Sequence, residues 1–132
     1  MHIAIEAQRV LGRRHGMDNY ALILIQSLAG RPDAPRLTVF VNRPDDQHVL
    51  PDGVEVRVLP ITNYAVWEQS ALPLALRDPT IDLVHFTRNT GPLVVPWLGR
   101  PYVMTVHDAI FMLPARLLPE SPRLRQRLAH LY

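Results

Sequence analysis

At 132 residues and 15.0 kDa, the chain is long enough for one hydrophobic core and too short for two ordinary domains. Its 48% apolar and 20% charged composition excludes a disordered segment. The basic residues are all arginine and leave a net charge of +2; with no dense basic stripe, nucleic acid is not expected as a partner. Cysteine is absent, which excludes disulfides and thiolate metal sites and fits a reducing, cytoplasmic compartment.

His2-Ile3-Ala4-Ile5-Glu6 reads as the first central strand of a parallel sheet. A loop with Arg9, Gly12 and Gly16 follows. From Asp18 or Asn19, either of which can cap a helix, Tyr20, Ile23, Leu24 and Leu28 recur at helical spacing until Gly30 and Pro32 stop it. Leu37 to Val41 is a second strand. Val54 to Leu59 alternates apolar and charged residues, as expected of a strand nearer the sheet edge. Asn63 caps a helix with Trp67, Ala71, Leu74 and Ala75, in which Pro73 predicts a kink or a split. Ile81 to Phe86 and Tyr102 to Val106 read as buried central strands. Ser121-Pro122 opens a last helix, with Leu124, Leu128 and Leu131 in register. Its pattern still runs at Tyr132, which predicts a truncated element. Strand and helix alternate as in a Rossmann-like, doubly wound α/β fold with a mostly parallel sheet, the first strand beside Ile81–Phe86 at the switch point.

Ligands of such sheets bind at the C-terminal strand edge, and three loops reach it. Gly16 lets backbone approach a phosphate or a sugar, or serves a turn of positive φ. Asp18 beside it disfavours an anion over the helix start. His107, in Thr105-Val106-His107-Asp108, is a general acid or base, a hydrogen-bond donor to a sugar or carbonyl oxygen, or a satisfied strand-end histidine. Arg88, Asn89 and Thr90 offer a guanidinium, an amide and a hydroxyl to a hydroxylated or anionic ligand, with a plain turn as the competing reading. Dinucleotide, P-loop, serine-hydrolase and His-Glu-x-x-His motifs are all missing, and no metal is expected.

In order and spacing, several motifs resemble those of the retaining GT-B glycosyltransferases of family 4, among mannosyl- and glucosyltransferase-like members. They are Arg9, Gly16-Met17-Asp18-Asn19-Tyr20, Trp67-Glu68-Gln69, Asp82-Leu83-Val84-His85, Asn89-Thr90 and Thr105-Val106-His107-Asp108. The resemblance implies that residues 1–132 are an acceptor-side, N-terminal Rossmann-like domain whose donor-binding C-terminal partner domain lies outside the chain. It implies transfer of a hexosyl group from a UDP- or GDP-sugar co-substrate, with retention, to the hydroxyl of a glycan, a lipid-linked or a small-molecule acceptor. By the same resemblance His107 contacts the transferred sugar and stabilises the transition state. Gly16, Met17, Asp18 and Tyr20 lie near the donor, Asp108 supports that loop, and Arg88, Asn89 and Thr90 line the acceptor side. Asp18 replaces the second glycine of the family's turn and puts a negative charge near the phosphate path. By itself the chain is expected to be inactive and to self-associate through the face its partner domain would cover. Arg123, Arg125 and Arg127 face water, or the inner surface of a membrane. The alternative is a non-catalytic Rossmann-like binding or assembly module.

Overall fold

The computed structural model describes residues 1–108. Five strands, β1 (His2–Glu6), β2 (Arg36–Val41), β3 (Glu55–Val58), β4 (Leu83–Phe86) and β5 (Tyr102–Met104), form one sheet in the order β3-β2-β1-β4-β5. All four pairings are parallel. This is the Rossmann-like α/β architecture that the alternation of elements predicts. β1 lies at the centre, between β2 and β4, and β3 at one edge, as its alternating charges require.

The period-two alternation of strand side chains divides the core into two layers. Ile3, Ile5, Leu37, Val39 and Val41 pack with Ala21 and Ile25 of helix α1 (Gly16–Ala29). Ala4, Phe40, Val84 and Phe86 pack on the opposite face with Trp67, Leu72 and Leu76. Trp67, Phe40 and Phe86 are fully buried, and each such side chain contributes about 1.5–3 kcal/mol by leaving water. Trp67 Nε1 donates to the Leu59 carbonyl at 3.1 Å, so its polar edge is satisfied within the apolar layer.

Four features differ from the sequence expectation. Helix α1 begins at Gly16 with His15 as N-cap. Asp18 stands at the third helical position, where its Oδ2 accepts the His15 N–H at 3.0 Å, one half of a capping box. The stripe of α1 that packs inward runs through Asp18, Ala21 and Ile25, while Ile23 is 61% exposed. An apolar run on every side of the helix gave no single face for periodicity to select.

The second helical segment is composite: α2 (Tyr64–Val66), a π-helical stretch (Trp67–Ala71) and α3 (Leu72–Ala75). Asn63 caps it as expected, accepting the Val66 N–H at 3.1 Å. Pro73 has no N–H to return to the preceding turn, and the widened stretch before it, with Leu72 N–H bonded to the Trp67 carbonyl, lets the helix continue past the ring.

Strand β5 is neither buried nor central among the described residues: Tyr102, Val103 and Met104 are all exposed. β4 is its neighbour in the sheet, and the strand ends at Met104, so Thr105–Asp108 form the loop beyond it. The helix expected from Ser121, with its arginines, lies outside the described residues.

Candidate functional site

The strand order reverses between β1 and β4, and parallel sheets open a crevice for ligands at such a switch point. Strand β1 delivers Glu6 there, 1% exposed. The Thr87 hydroxyl, at the exit of β4, lies 2.7 Å from the Glu6 carbonyl and 3.1 Å from its carboxylate. Burial pushes the Glu6 carboxyl above its ordinary range, opposed by the Arg88 guanidinium and by hydrogen bonds from Gln8 and Thr87. Arg88 Nε lies 4.0 Å from Glu6, and Arg88 Nη2 pairs with Asp18 Oδ1. Its guanidinium also sits 5.1 Å from the Tyr64 ring centroid, within cation–π range. Asp18 and Arg88 thus join the start of α1 to the exit of β4. The negative charge that the sequence places beside Gly16 is neutralised by that arginine.

A second polar group surrounds the β5 loop. His107 Nε2 is 2.8 Å from the Thr87 carbonyl. A carbonyl only accepts, so Nε2 carries the proton and Nδ1, in the neutral ring, keeps a lone pair. Among the described residues nothing else bonds the ring, while its backbone N–H donates to Asn89 Oδ1 at 2.7 Å. Tyr20 packs edge-on to His107 with ring centroids 5.0 Å apart. The Tyr20 hydroxyl and His85 Nε2 both lie 2.9 Å from Thr105 Oγ1. Desolvation lowers the pKa of His85 and favours its neutral ring. Asp108 follows, exposed.

Neither Gly12 nor Gly16 has positive φ, so the positive-φ reading of Gly16 does not hold, while Gly12 closes a turn by donating its N–H to the Arg9 carbonyl at 3.0 Å. A Cβ built on Gly16 meets nothing within 4 Å. The backbone at the start of α1 is therefore open on the side where Gly16 lacks a side chain, and Met17 beside it is half-buried. Gly91 is different: a Cβ there would come within 3.1 Å of Met104 Cε and 3.3 Å of the Phe86 ring. Close packing, not turn geometry, requires that glycine.

A third group joins Thr90 to Tyr64 and to two residues that were quoted in a sequence motif without being given a role, Glu68 and Gln69. Glu68, 5% exposed, accepts from the Tyr64 hydroxyl at 2.8 Å, from the Thr90 hydroxyl at 2.7 Å and from Gln69 Nε2 at 2.8 Å. Burial, then the negative charges of Glu6 and Glu68, push the Tyr64 phenol far up and keep it a donor. A pocket of about 310 Å³ opens here, lined by Tyr64, Ala65, Glu68 and Gln69 on the helical segment and Thr90, Gly91 and Leu93 on the loop.

The structure therefore brings His107, Tyr20 and Asn89 together, and pairs Asp18 with Arg88. Thr90 is bonded instead to Glu68. Two signals marked the residues that sequence reasoning passed over. Glu6 is an acid ending an otherwise apolar central strand, and Tyr64 and Glu68 stand four apart at the head of a capped helix. No protein-family model, curated protein or solved structure matches the chain.

Proposed function

We infer that residues 1–132 form the acceptor-side domain of a retaining glycosyltransferase that passes a hexosyl group from a UDP- or GDP-sugar to an acceptor hydroxyl. The observation that carries this reading is the meeting of His107 with Tyr20 of α1 and with the Thr87 carbonyl at the exit of β4, beside the switch point, with the backbone at Gly16 unobstructed. Amides at the start of α1 favour a negative group, and the pairing of Asp18 with Arg88 removes the charge that would oppose it. His107 holds its ring through Nε2 and offers Nδ1 as an acceptor to a sugar hydroxyl. It acts in this reading by positioning and by electrostatics, with no covalent role. The donor-binding half of the site lies on a domain outside these residues, and no metal is required.

The test is H107A in the full-length gene product that contains this chain, with turnover measured on a panel of UDP- and GDP-sugars. Turnover should fall about 100-fold or more, the scale of losing one preorganised transition-state contact, with little loss of folding. Unaltered turnover would remove His107 from the mechanism.

A second reading, a non-catalytic Rossmann-like binding or assembly module, is favoured by one observation. Arg88 is engaged by Asp18, Glu6 and Tyr64 and has no evident freedom to hold a substrate. A folded full-length product that binds no nucleotide-sugar would support this module.

A further inference from the structure

The pocket between the Tyr64–Gln69 helical segment and the Thr90–Leu93 loop has an unusual distribution of protons. The Tyr64 and Thr90 hydroxyls both donate inward to one oxygen of Glu68. Gln69 Nε2 donates to the other Glu68 oxygen at 2.8 Å and reaches the Gly91 carbonyl at 3.5 Å. Its Oε1 is taken by the Leu93 N–H at 3.0 Å. The side-chain donors around the pocket are therefore engaged within the protein. What remains for a ligand is lone pairs: those of the Tyr64 and Thr90 oxygens and of the Glu68 carboxylate.

Charge points the same way. Among the described residues no arginine or histidine lies within ion-pair distance of Glu68, and its partners in the protein are neutral donors. The neighbouring cation, Arg88, stands 5.1 Å from the Tyr64 ring centroid and is held in ion pairs with Glu6 and Asp18, so Glu68 has hydrogen-bond donors but no ion-pair partner of its own among the described residues. A hydroxyl ligand brings one proton and no charge, so it uses only one of these acceptors. An ammonium brings three N–H groups, needs no donor and supplies Glu68 with a direct ion-pair partner. Ala65 and Leu93 supply apolar wall for a carbon skeleton, and about 310 Å³ limits that skeleton to a single ring or a short chain.

We propose that this pocket binds a small primary ammonium, its N–H groups directed to Glu68 and to the Tyr64 and Thr90 oxygens and its carbon frame against Leu93. The proposal goes beyond glycosyl transfer and does not depend on it. It is read from pocket chemistry alone.

The test compares two probes of nearly equal shape, cyclohexylammonium and cyclohexanol, by amide chemical-shift titration of the chain at pH 7. The cation should shift the amides of Ala65, Gln69, Gly91 and Leu93 and bind at least about tenfold more tightly than the alcohol. Its affinity should weaken as salt rises. E68Q should remove the preference for the cation. L93W, at a position 78% exposed, should block binding of both probes while leaving the Glu68 hydrogen bonds in place, so the test survives if E68Q fails to fold. Equal affinity for the two probes, tighter binding of cyclohexanol, or no shift of these amides by the cation would overturn the proposal.

Discussion

Replacing Arg88 by methionine removes the cation shared by Glu6 and Asp18 while keeping most of the side-chain length. In the wild-type protein the Arg88 side chain is 12% exposed and that of Asp18 4%, while Glu6 is 1% exposed. Screening by water is therefore weak, and the surface-pair figure of about 0–1 kcal/mol does not apply. Removing one partner of a buried pair leaves the other charge without compensation, at a cost of about 3–5 kcal/mol. R88M should lose that much in urea unfolding followed by circular dichroism. D18N/R88M should recover a large part of it, because the uncompensated Asp18 charge is gone as well.

The pH dependence follows from Glu6. Burial already raises its folded pKa above the ordinary 4.5, and Arg88 opposes that rise. Without Arg88 the folded pKa rises further. A group raised in this way contributes stability below its unfolded pKa and loses it as pH climbs through the folded value. The cost of R88M should therefore be smaller near pH 5 than near pH 8. A loss below about 1 kcal/mol, the surface-pair scale, or a double variant no better than R88M, would refute the bridging role.

G91A should destabilise the chain by about 1–3 kcal/mol. The Met104 methyl can move aside, but the buried Phe86 ring, 3.3 Å from the new Cβ, cannot; an unchanged melting temperature would contradict the packing account. For His85, the folded pKa lies below the ordinary 6.5, so the unfolded chain takes up the proton first. Wild-type stability should then fall as pH drops through about 6.5 and level off below the folded pKa. H85N should lack that component, and identical pH profiles for the two proteins would show that His85 is not desolvated.

The sheet was legible because its strands have different surroundings. Ile3-Ala4-Ile5 is apolar on both faces and Leu37–Val41 is so except at Thr38, as a strand covered by helices on both sides must largely be. Val54–Leu59 alternates and lies at the edge. Among the described residues β5 is an exposed edge strand rather than a buried central one; Tyr102-Val103-Met104 carries the same apolar pattern, and its exposure depends on which neighbours it pairs with, which local sequence does not encode. At the site, the His107 loop and the Arg88–Thr90 loop were both placed at the correct edge. Their partners were not foreseen, because Asp18 and Arg88 are distant in the chain and meet only through the β1–β4 pairing. Glu68 was quoted in the Trp67-Glu68-Gln69 motif but given no role, for a related reason. Its role depends on Thr90 reaching it from another loop, whereas its sequence context reads simply as the polar face of a helix.

The most direct measurement is a transfer assay on the full-length gene product that contains this chain, with UDP- and GDP-hexoses, a mixed set of hydroxyl acceptors and the anomeric configuration of the product read by NMR. The account predicts a glycoside with the anomeric configuration of the donor, formed by the wild type and lost in H107A. A folded protein that neither transfers nor binds any of these donors, or that forms product with inverted configuration, would contradict it.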